Sequence, residues 1–386
     1  MWKNWLLWGL AMVSSLFFAS NYGGTVPYTF VYLLIAMPFV SFFYTLFVFF
    51  RFRFLQSAGQ KMMVKGELVD YRFQLSNEDF FLYSSIKVDF FSDKSTILAI
   101  DEKKEYTLLP GEKEDFRTKM CCHYRGEYWV GAKSFIITDF LGLFRIKYAV
   151  ESKLPALVSP RIIPFSYSDL IKEEEDEKET QFRIREQSEL DQQVREYVPG
   201  DSIRQIHWKN SAKTGKLMSR TYQAIQRQQV CILLDLSKIR REEKERFVLE
   251  DEMLEQAIAA ASYCCDHKIP CSVFLFQNGW KEFKIHTQKE FHEFYEFCIT
   301  VVFGEEKGFE KLILEVLYKN RGSHLILITT NMEQDISTAM LKKTQDDKVS
   351  MLFVTTILEA KQKHIVGELE KRGISIRLIS VIPEEV

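Results

Sequence analysis

Apolar and polar positions divide this chain into regions of different period. Two apolar runs open it, at residues 5–19 and 28–50, joined by the uncharged, turn-rich stretch 20–27. A helix over the second run would rise about 34 Å, enough to cross a hydrocarbon core of about 30 Å with some tilt. The first run is shorter and has two readings, a retained helix or a signal peptide. Its end, Phe17-Phe18-Ala19, matches a small-x-small cleavage site poorly and so favours the retained helix. Lys3 precedes the first run, Arg51, Arg53 and Lys61 follow the second, and the loop between them has no cation, so both ends are expected on the cytosolic side. Residues 1–53 are thus predicted to form a transmembrane hairpin, and cleavage of the first run would leave the body cytosolic.

Over residues 61–158 the period falls to two. Val69, Tyr71, Phe73 and Leu75 alternate with Asp70, Arg72 and Gln74, and Ile86, Val88 and Phe90 repeat the pattern. Further strand signals at 116–124, 127–130 and 133–138, punctuated by Pro110-Gly111 and Arg125-Gly126, predict a β-rich, sandwich-like domain over 54–160. A charged linker and lead-in, 161–194, contains IKEEEDEKET, whose consecutive carboxylates lack both apolar periodicity and the turn glycines of a calcium loop. Beyond it, strand signals at 230–236, 271–276, 323–329, 349–354 and 374–381 alternate with helical segments near 247–267, 288–303, 309–319, 336–344 and 359–372. That alternation predicts a mainly parallel, doubly wound α/β domain over 230–386.

The remaining segment, 195–229, follows neither period. Its core reads REYVPGDSIRQIHWKNSAKTGKLMSR, in which Pro199-Gly200-Asp201 signals a turn. Arg204, Lys209, Lys213, Lys216 and Arg220 are interleaved with Ile206, Trp208, Ala212, Leu217 and Met218, so apolar anchors could hold the backbone while cations face a partner. His207 and Trp208 join those cations as candidate contacts, and His207, with no nucleophile or carboxylate in a recognisable arrangement, carries no catalytic role. Arg195, Glu196, Tyr197, Gly200, Asp201, Ser211, Ala212 and Gly215 are the candidate structural positions. A second reading stays open, in which Arg195 and Arg204 pair internally with Glu196 and Asp201 while Trp208 is buried.

Composition narrows the function. The chain has 386 residues, 46% hydrophobic and 14% aromatic, with a formal net charge of −2, so any basic site is local and a surface built for nucleic acid is disfavoured. Its seven cysteines include no C-x-x-C pair and fit reduced, buried thiols in a cytosolic compartment. Cys122-His123 invites a nucleophile reading, but neighbours in a strand point to opposite faces.

Taken together, Arg195-Glu196-Tyr197, Gly200-Asp201, Arg204, Ile206, Trp208-Lys209, Ser211-Ala212 and Gly215-Lys216-Leu217 closely resemble the signature of the domain of unknown function 58 family. The flanks resemble that family's usual neighbours, a membrane hairpin and β-rich domain before it and a von Willebrand factor type A-like domain after it. Arg125-Gly126-Glu127-Tyr128 and the stretch from Asp139 to Phe144 resemble an RGxY … DPFGLF pattern found upstream of the signature. The resemblance implies a cytosolic partner of the MoxR-type AAA+ ATPase class. Asp235-Leu236-Ser237 resembles the start of a metal-ion-dependent adhesion site, D-x-S-x-S, which implies Asp235, Ser237 and Asn331 as ligands of a Mg2+ ion. Ile239 replaces the second serine, and Asn331 stands where that site has a carboxylate. The alternative is that Asp235 caps the turn through backbone N–H groups.

No P-loop, paired carboxylates or activated nucleophile is evident. The expectation is therefore a two-pass cell-membrane protein with cytoplasmic domains, acting as a non-enzymatic adaptor or scaffold. The competing expectation is a nucleic-acid or anionic-lipid binding module using the basic segment.

Overall fold

The computed structural model describes residues 2–99, 105–165, 192–197, 208–222, 229–277, 279–305, 308–342 and 348–382. It divides into two compact units, Met1–Arg161 with Cys298–Thr300, and Ile162–Phe297 with Val301–Val386.

The first unit opens with α1 (Trp2–Tyr22) and α2 (Thr25–Arg51). Gly23 and Gly24 lie between them with φ of +59° and +88°, a conformation glycine adopts without steric cost. Trp8 Nε1 donates to Leu34 O at 3.0 Å, tying the helices together. Among the described residues, α2 is the one helix long and apolar enough to cross a membrane. The expected two-span hairpin thus has one clear span, because the apolar run of α1 is short, bounded by polar Lys3, Asn4 and Asn21 and interrupted by Ser14 and Ser15.

Strands follow in the order β1 (Arg53–Ala58), β2 (Met62–Val64), β3 (Leu68–Ser76), β4 (Tyr83–Phe90), β5 (Ser95–Ile97), β6 (Glu105–Leu108), β7 (Lys113–Cys122), β8 (Gly126–Val130), β9 (Ala132–Thr138), β10 (Arg145–Ala149) and β11 (Leu154–Ser159). They build sheets β1-β3-β7-β5, β10-β9-β4-β6 and β2-β11-β8, antiparallel apart from the β2–β11 pair. In β3 the alternation holds residue by residue, with Val69, Tyr71, Phe73 and Leu75 buried. They share one core with Ile86 and Val88 of β4 and Phe135 and Ile137 of β9. The end of α2 belongs to it too: Val48 and Phe52 are buried there, and Phe52 and Phe54 meet Phe135 edge-on at 5.2 and 4.5 Å.

In the second unit, β12 (Gln192–Glu196) pairs antiparallel with β13 (Met218–Tyr222), and α3 (Trp208–Thr214) lies between them in sequence. The elements that follow are β14 (Val230–Leu234), α4 (Glu243–Asp266), β15 (Cys271–Phe276), β16 (Trp280–Ile285), α5 (Gln288–Thr300), α6 (Phe309–Lys319), β17 (His324–Thr329), α7 (Gln334–Met340), β18 (Lys348–Thr355), α8 (Ala360–Lys371) and β19 (Ser375–Ser380). The sheet order is β16-β15-β14-β17-β18-β19, parallel except for the β15–β16 edge. Counted from β14 this is 3-2-1-4-5-6, a doubly wound order whose direction of winding reverses between β14 and β17. Residues of α6, α7 and α8 pack on one face with Leu233, Leu327, Met351 and Phe353. The alternate side chains Ile232, Leu234, Ile326 and Ile328 are also buried, and α4 covers them from the opposite face.

The mainly parallel sheet matches the expectation from the alternating pattern. The strand it lacked is β16, whose WKEFKI sequence is mostly exposed and charged because an edge strand has solvent on one side. Helix α4 begins four residues before the expected start at 247, its first turn being Glu- and Lys-rich and therefore silent in apolar periodicity. The linker residues 166–191 lie outside the described residues.

Candidate functional site

Two places concentrate the residues of interest. The first is the β12–α3–β13 segment. Arg195 pairs opposite Ser219, Glu196 opposite Met218 and Val194 opposite Arg220. Tyr197 N extends the ladder by donating to Leu217 O at 2.8 Å. Helix α3 closes at Gly215, whose φ is +70° and whose N–H donates to Ser211 O at 3.0 Å. Ser211 Oγ accepts from Met218 N at 2.8 Å and so fastens the helix to the start of β13. Gly215 and Tyr197 through backbone geometry, and Ser211 through both its carbonyl and its hydroxyl, thereby hold the local fold.

The outward face is set by helical spacing. Lys209 and Lys213 are one turn apart, as are Trp208 and Ala212, and all four are exposed. Trp208 is 64% exposed, which removes the reading that buries it as an apolar anchor and leaves it among the candidate outward contacts. Ala212, counted as structural, is exposed as well, and Lys216 is exposed beyond the helix end. Gly200, Asp201, Arg204 and His207 lie outside the described residues, as do Pro199 and Ile206.

The second place is the sheet switch point, where open α/β sheets bind ligands beyond the carboxyl ends of their strands. Asp235 follows β14 and is buried; its N–H donates to Ile328 O at 3.0 Å. Its Oδ1 accepts from Ser237 N at 3.0 Å and from the Ser237 hydroxyl. Its Oδ2 accepts from Thr329 Oγ1 at 2.6 Å, a bond that spans the switch point between β14 and β17. Thr329 Oγ1 in turn accepts from Asn331 N at 2.9 Å. The loop after β14 is also laced to residues 304–305, because Leu236 O accepts from Gly304 N at 3.0 Å and Glu305 N at 3.2 Å. Thr329 is the second anchor of the Asp235 carboxylate, and no motif in the sequence marks it as such. Its one signal is a hydroxyl residue ending the apolar run HLILIT.

Burial raises the Asp235 carboxyl above the ordinary value of 3.8, although the bonds from Ser237 and Thr329 oppose the shift. Mg2+ takes octahedral oxygen ligands and is held through one or two carboxylates whose oxygens are open to it. This site offers one carboxylate with both oxygens engaged, neutral hydroxyls, and buried Ile239 at the second serine position. Among the described residues no group of three His, Cys, Asp or Glu side chains could hold a metal ion. The residues present therefore fit Mg2+ poorly.

The raised carboxyl predicts a pH effect. Above the ordinary carboxyl value the unfolded chain ionises first while native Asp235 keeps its proton, so stability falls as pH rises toward the raised value. Asp235→Asn can present its amide oxygen to Ser237 and its NH2 group to Thr329 Oγ1, and it should remove that slope. Denaturant unfolding of the full chain in detergent, followed by hydrogen exchange in β14, would check this; superimposable pH profiles would refute it.

The cysteines are free thiols. Burial pushes Cys231 up to about 11 and also raises Cys122, so neither is a ready nucleophile at neutral pH. His123 Nε2 instead pairs with Thr96 Oγ1 at 2.8 Å.

A search of curated proteins finds no match to this chain. Among solved structures, a von Willebrand factor type A protein from Catenulispora acidiphila is similar at 10% identity and a TM-score of 0.28, over 42% of this chain and 40% of that one. Proximal thread matrix protein 1 from the mussel byssus is similar at 15% identity and a TM-score of 0.22, over 40% and 38%. The chain thus spans about two fifths of the length of these neighbours. A family model described as "Protein of unknown function DUF58" matches residues 193–264, which run from β12 through nearly all of α4 and include the whole of α3 and the Asp235 turn.

Proposed function

We propose that this chain is a membrane-anchored, non-enzymatic adaptor whose α3 face docks a cytosolic protein. The observation that carries the reading is exposed Trp208 beside exposed Lys209 and Lys213, inside the segment matched by the DUF58 model. An exposed tryptophan flanked by cations has the composition of an interface anchor, and it suits an acidic partner surface with an apolar notch. The family resemblance makes a MoxR-type AAA+ ATPase the expected partner, which would supply the nucleotide energy that a chain with no P-loop lacks. In this reading α2 provides the anchor with α1 returning beside it, and the cations after α2 keep the β-domain that follows it and the α/β unit cytoplasmic.

The test is co-purification of cytosolic proteins with the detergent-solubilised full chain. Wild type should enrich an AAA+ ATPase, and Lys209→Glu with Lys213→Glu should lower its recovery about 10-fold or more. Asp235→Ala serves as a comparison that leaves the α3 face intact. Equal recovery with the charge-reversed variant would reject this surface.

A further inference from the structure

The loop between β3 and β4 is built with unusual care for a surface turn. Asn77 is fully buried, and its Nδ2 donates to Phe81 O at 2.8 Å, Leu108 O at 3.1 Å and Leu109 O at 3.0 Å, while its Oδ1 accepts from Asp79 N at 3.0 Å. The loop is also pinned to the end of α2. Arg51 Nη2 lies 2.8 Å from Asp79 Oδ1, the Tyr44 hydroxyl donates to Leu82 O, and Phe47 meets Phe81 edge-on at 5.5 Å. Despite this, the tip faces outward: Phe80 is 96% exposed, Phe81 58% and Leu82 42%. A loop held by so many bonds cannot fold its phenylalanines inward to escape water.

We infer that this loop dips into the interfacial layer of the bilayer that α2 crosses, with Phe80 and Phe81 as its wedge. The inference rests on the membrane reading of α2 given above. Three observations select lipid as the occupant. The apolar tip meets α2 through Phe47, which shares a helix face with exposed Phe43 and Phe50 at i−4 and i+3, and exposed Phe140 lies 5.4 Å from Tyr44 on the same stretch of α2. The loop sits along the last two turns of α2, next to Arg51, where a spanning helix leaves the hydrocarbon. Its acidic residues are matched by cations: Asp79 by Arg51, and Glu78 by Arg53 at 3.6 Å and Lys113 at 3.9 Å. The tip therefore carries no uncompensated charge into the headgroup layer, where aromatic side chains insert readily.

A nitroxide at position 80 would test this in the full-length chain, as Phe80→Cys with Cys121→Ser, because the other cysteines are buried. The protein would be reconstituted in vesicles of phosphatidylcholine and phosphatidylglycerol. Accessibility to lipid-soluble oxygen would be compared with that to a water-soluble nickel chelate. The same label at exposed Leu33 of α2 reports the anchor, and at exposed Leu68, about 26 Å along β3 from the loop, it reports the aqueous side. Positions 33 and 80 should favour oxygen severalfold over the chelate, and position 68 should favour the chelate. An aqueous label at 80 with position 33 in lipid overturns the inference alone. An aqueous label at 33 overturns the anchor as well. Low access to both reagents at 80 would mean that a protein covers the loop, and it overturns the lipid assignment too.

Discussion

Lowering the pH from 6.5 to about 4 is expected to remove roughly 3 kcal/mol of stability from the α/β unit through His324 alone. His324 opens β17, is buried between β14 and β18, and shares a 2.8 Å hydrogen bond between its Nε2 and Ser350 Oγ. Burial, reinforced by the nearby Lys348 charge, pushes its imidazole from 6.5 down to about 4. Above 6.5 the ring is neutral in both states. Between 6.5 and 4 the unfolded chain binds a proton that the native strand refuses, so stability drains away across that window. Below about 4 both states are protonated and the loss stops.

Denaturant titrations of wild type and His324→Gln at pH 7, 5.5 and 4 would measure this. Glutamine can still reach Ser350 but does not titrate, so the variant should lose far less on acidification. A wild-type slope equal to that of the variant would sink the argument. Asp235 acts in the opposite sense, its contribution falling as pH rises above the ordinary carboxyl value, so His324→Gln with Asp235→Asn should flatten the profile from both sides.

The second large effect is expected in the first unit, where Asp139→Ala should cost about 3–5 kcal/mol. Asp139 follows β9 and is buried. Its Oδ1 accepts from Phe144 N at 2.7 Å, and its Oδ2 accepts from Leu141 N at 3.1 Å and from the Ser41 hydroxyl of α2. Removing the carboxylate strands three donors in a half-dry setting. The loop it closes grips the helices elsewhere as well: Asn4 Nδ2 donates to Leu141 O and Trp5 Nε1 to Leu143 O, both at 2.9 Å, and Phe144 lies 5.7 Å from Trp5 and 5.5 Å from Phe42. Gly142 turns with φ of +66°, and a Cβ there would collide with Asn4. Asp139→Asn retains one accepting oxygen and should lie between alanine and wild type. Hydrogen exchange across residues 41–48 would report the loss, and unchanged protection in the alanine variant would show that the loop does not hold α2 to the β-domain.

This loop was visible in the sequence only as a short motif. What made it structural was Ser41, nearly a hundred residues earlier. The same holds for Asp235, whose turn position at the end of an apolar run could be read directly, while Thr329 as its second anchor could not. Trp208 could be read from the sequence either as an outward contact or as a buried anchor, and only the structure decided against burial: a helix of seven residues has room for few buried positions, and Trp208 falls on the outward face.

By itself the sequence determined the local elements: the alternation of β3, the apolar α2, the strand and helix rhythm after Val230 and the signature around α3. Each is a property of consecutive residues, since backbone period dictates which side chains share a face. Only the tertiary structure decided that β14 and β17 are neighbours, that β16 turns antiparallel at the edge, that Asn77 rather than a glycine shapes the β3–β4 loop, and which cations stand clear of the surface. Those outcomes depend on which distant segments pack together, and sheet order and side-chain partners are fixed by burial summed over the whole unit rather than by any local pattern.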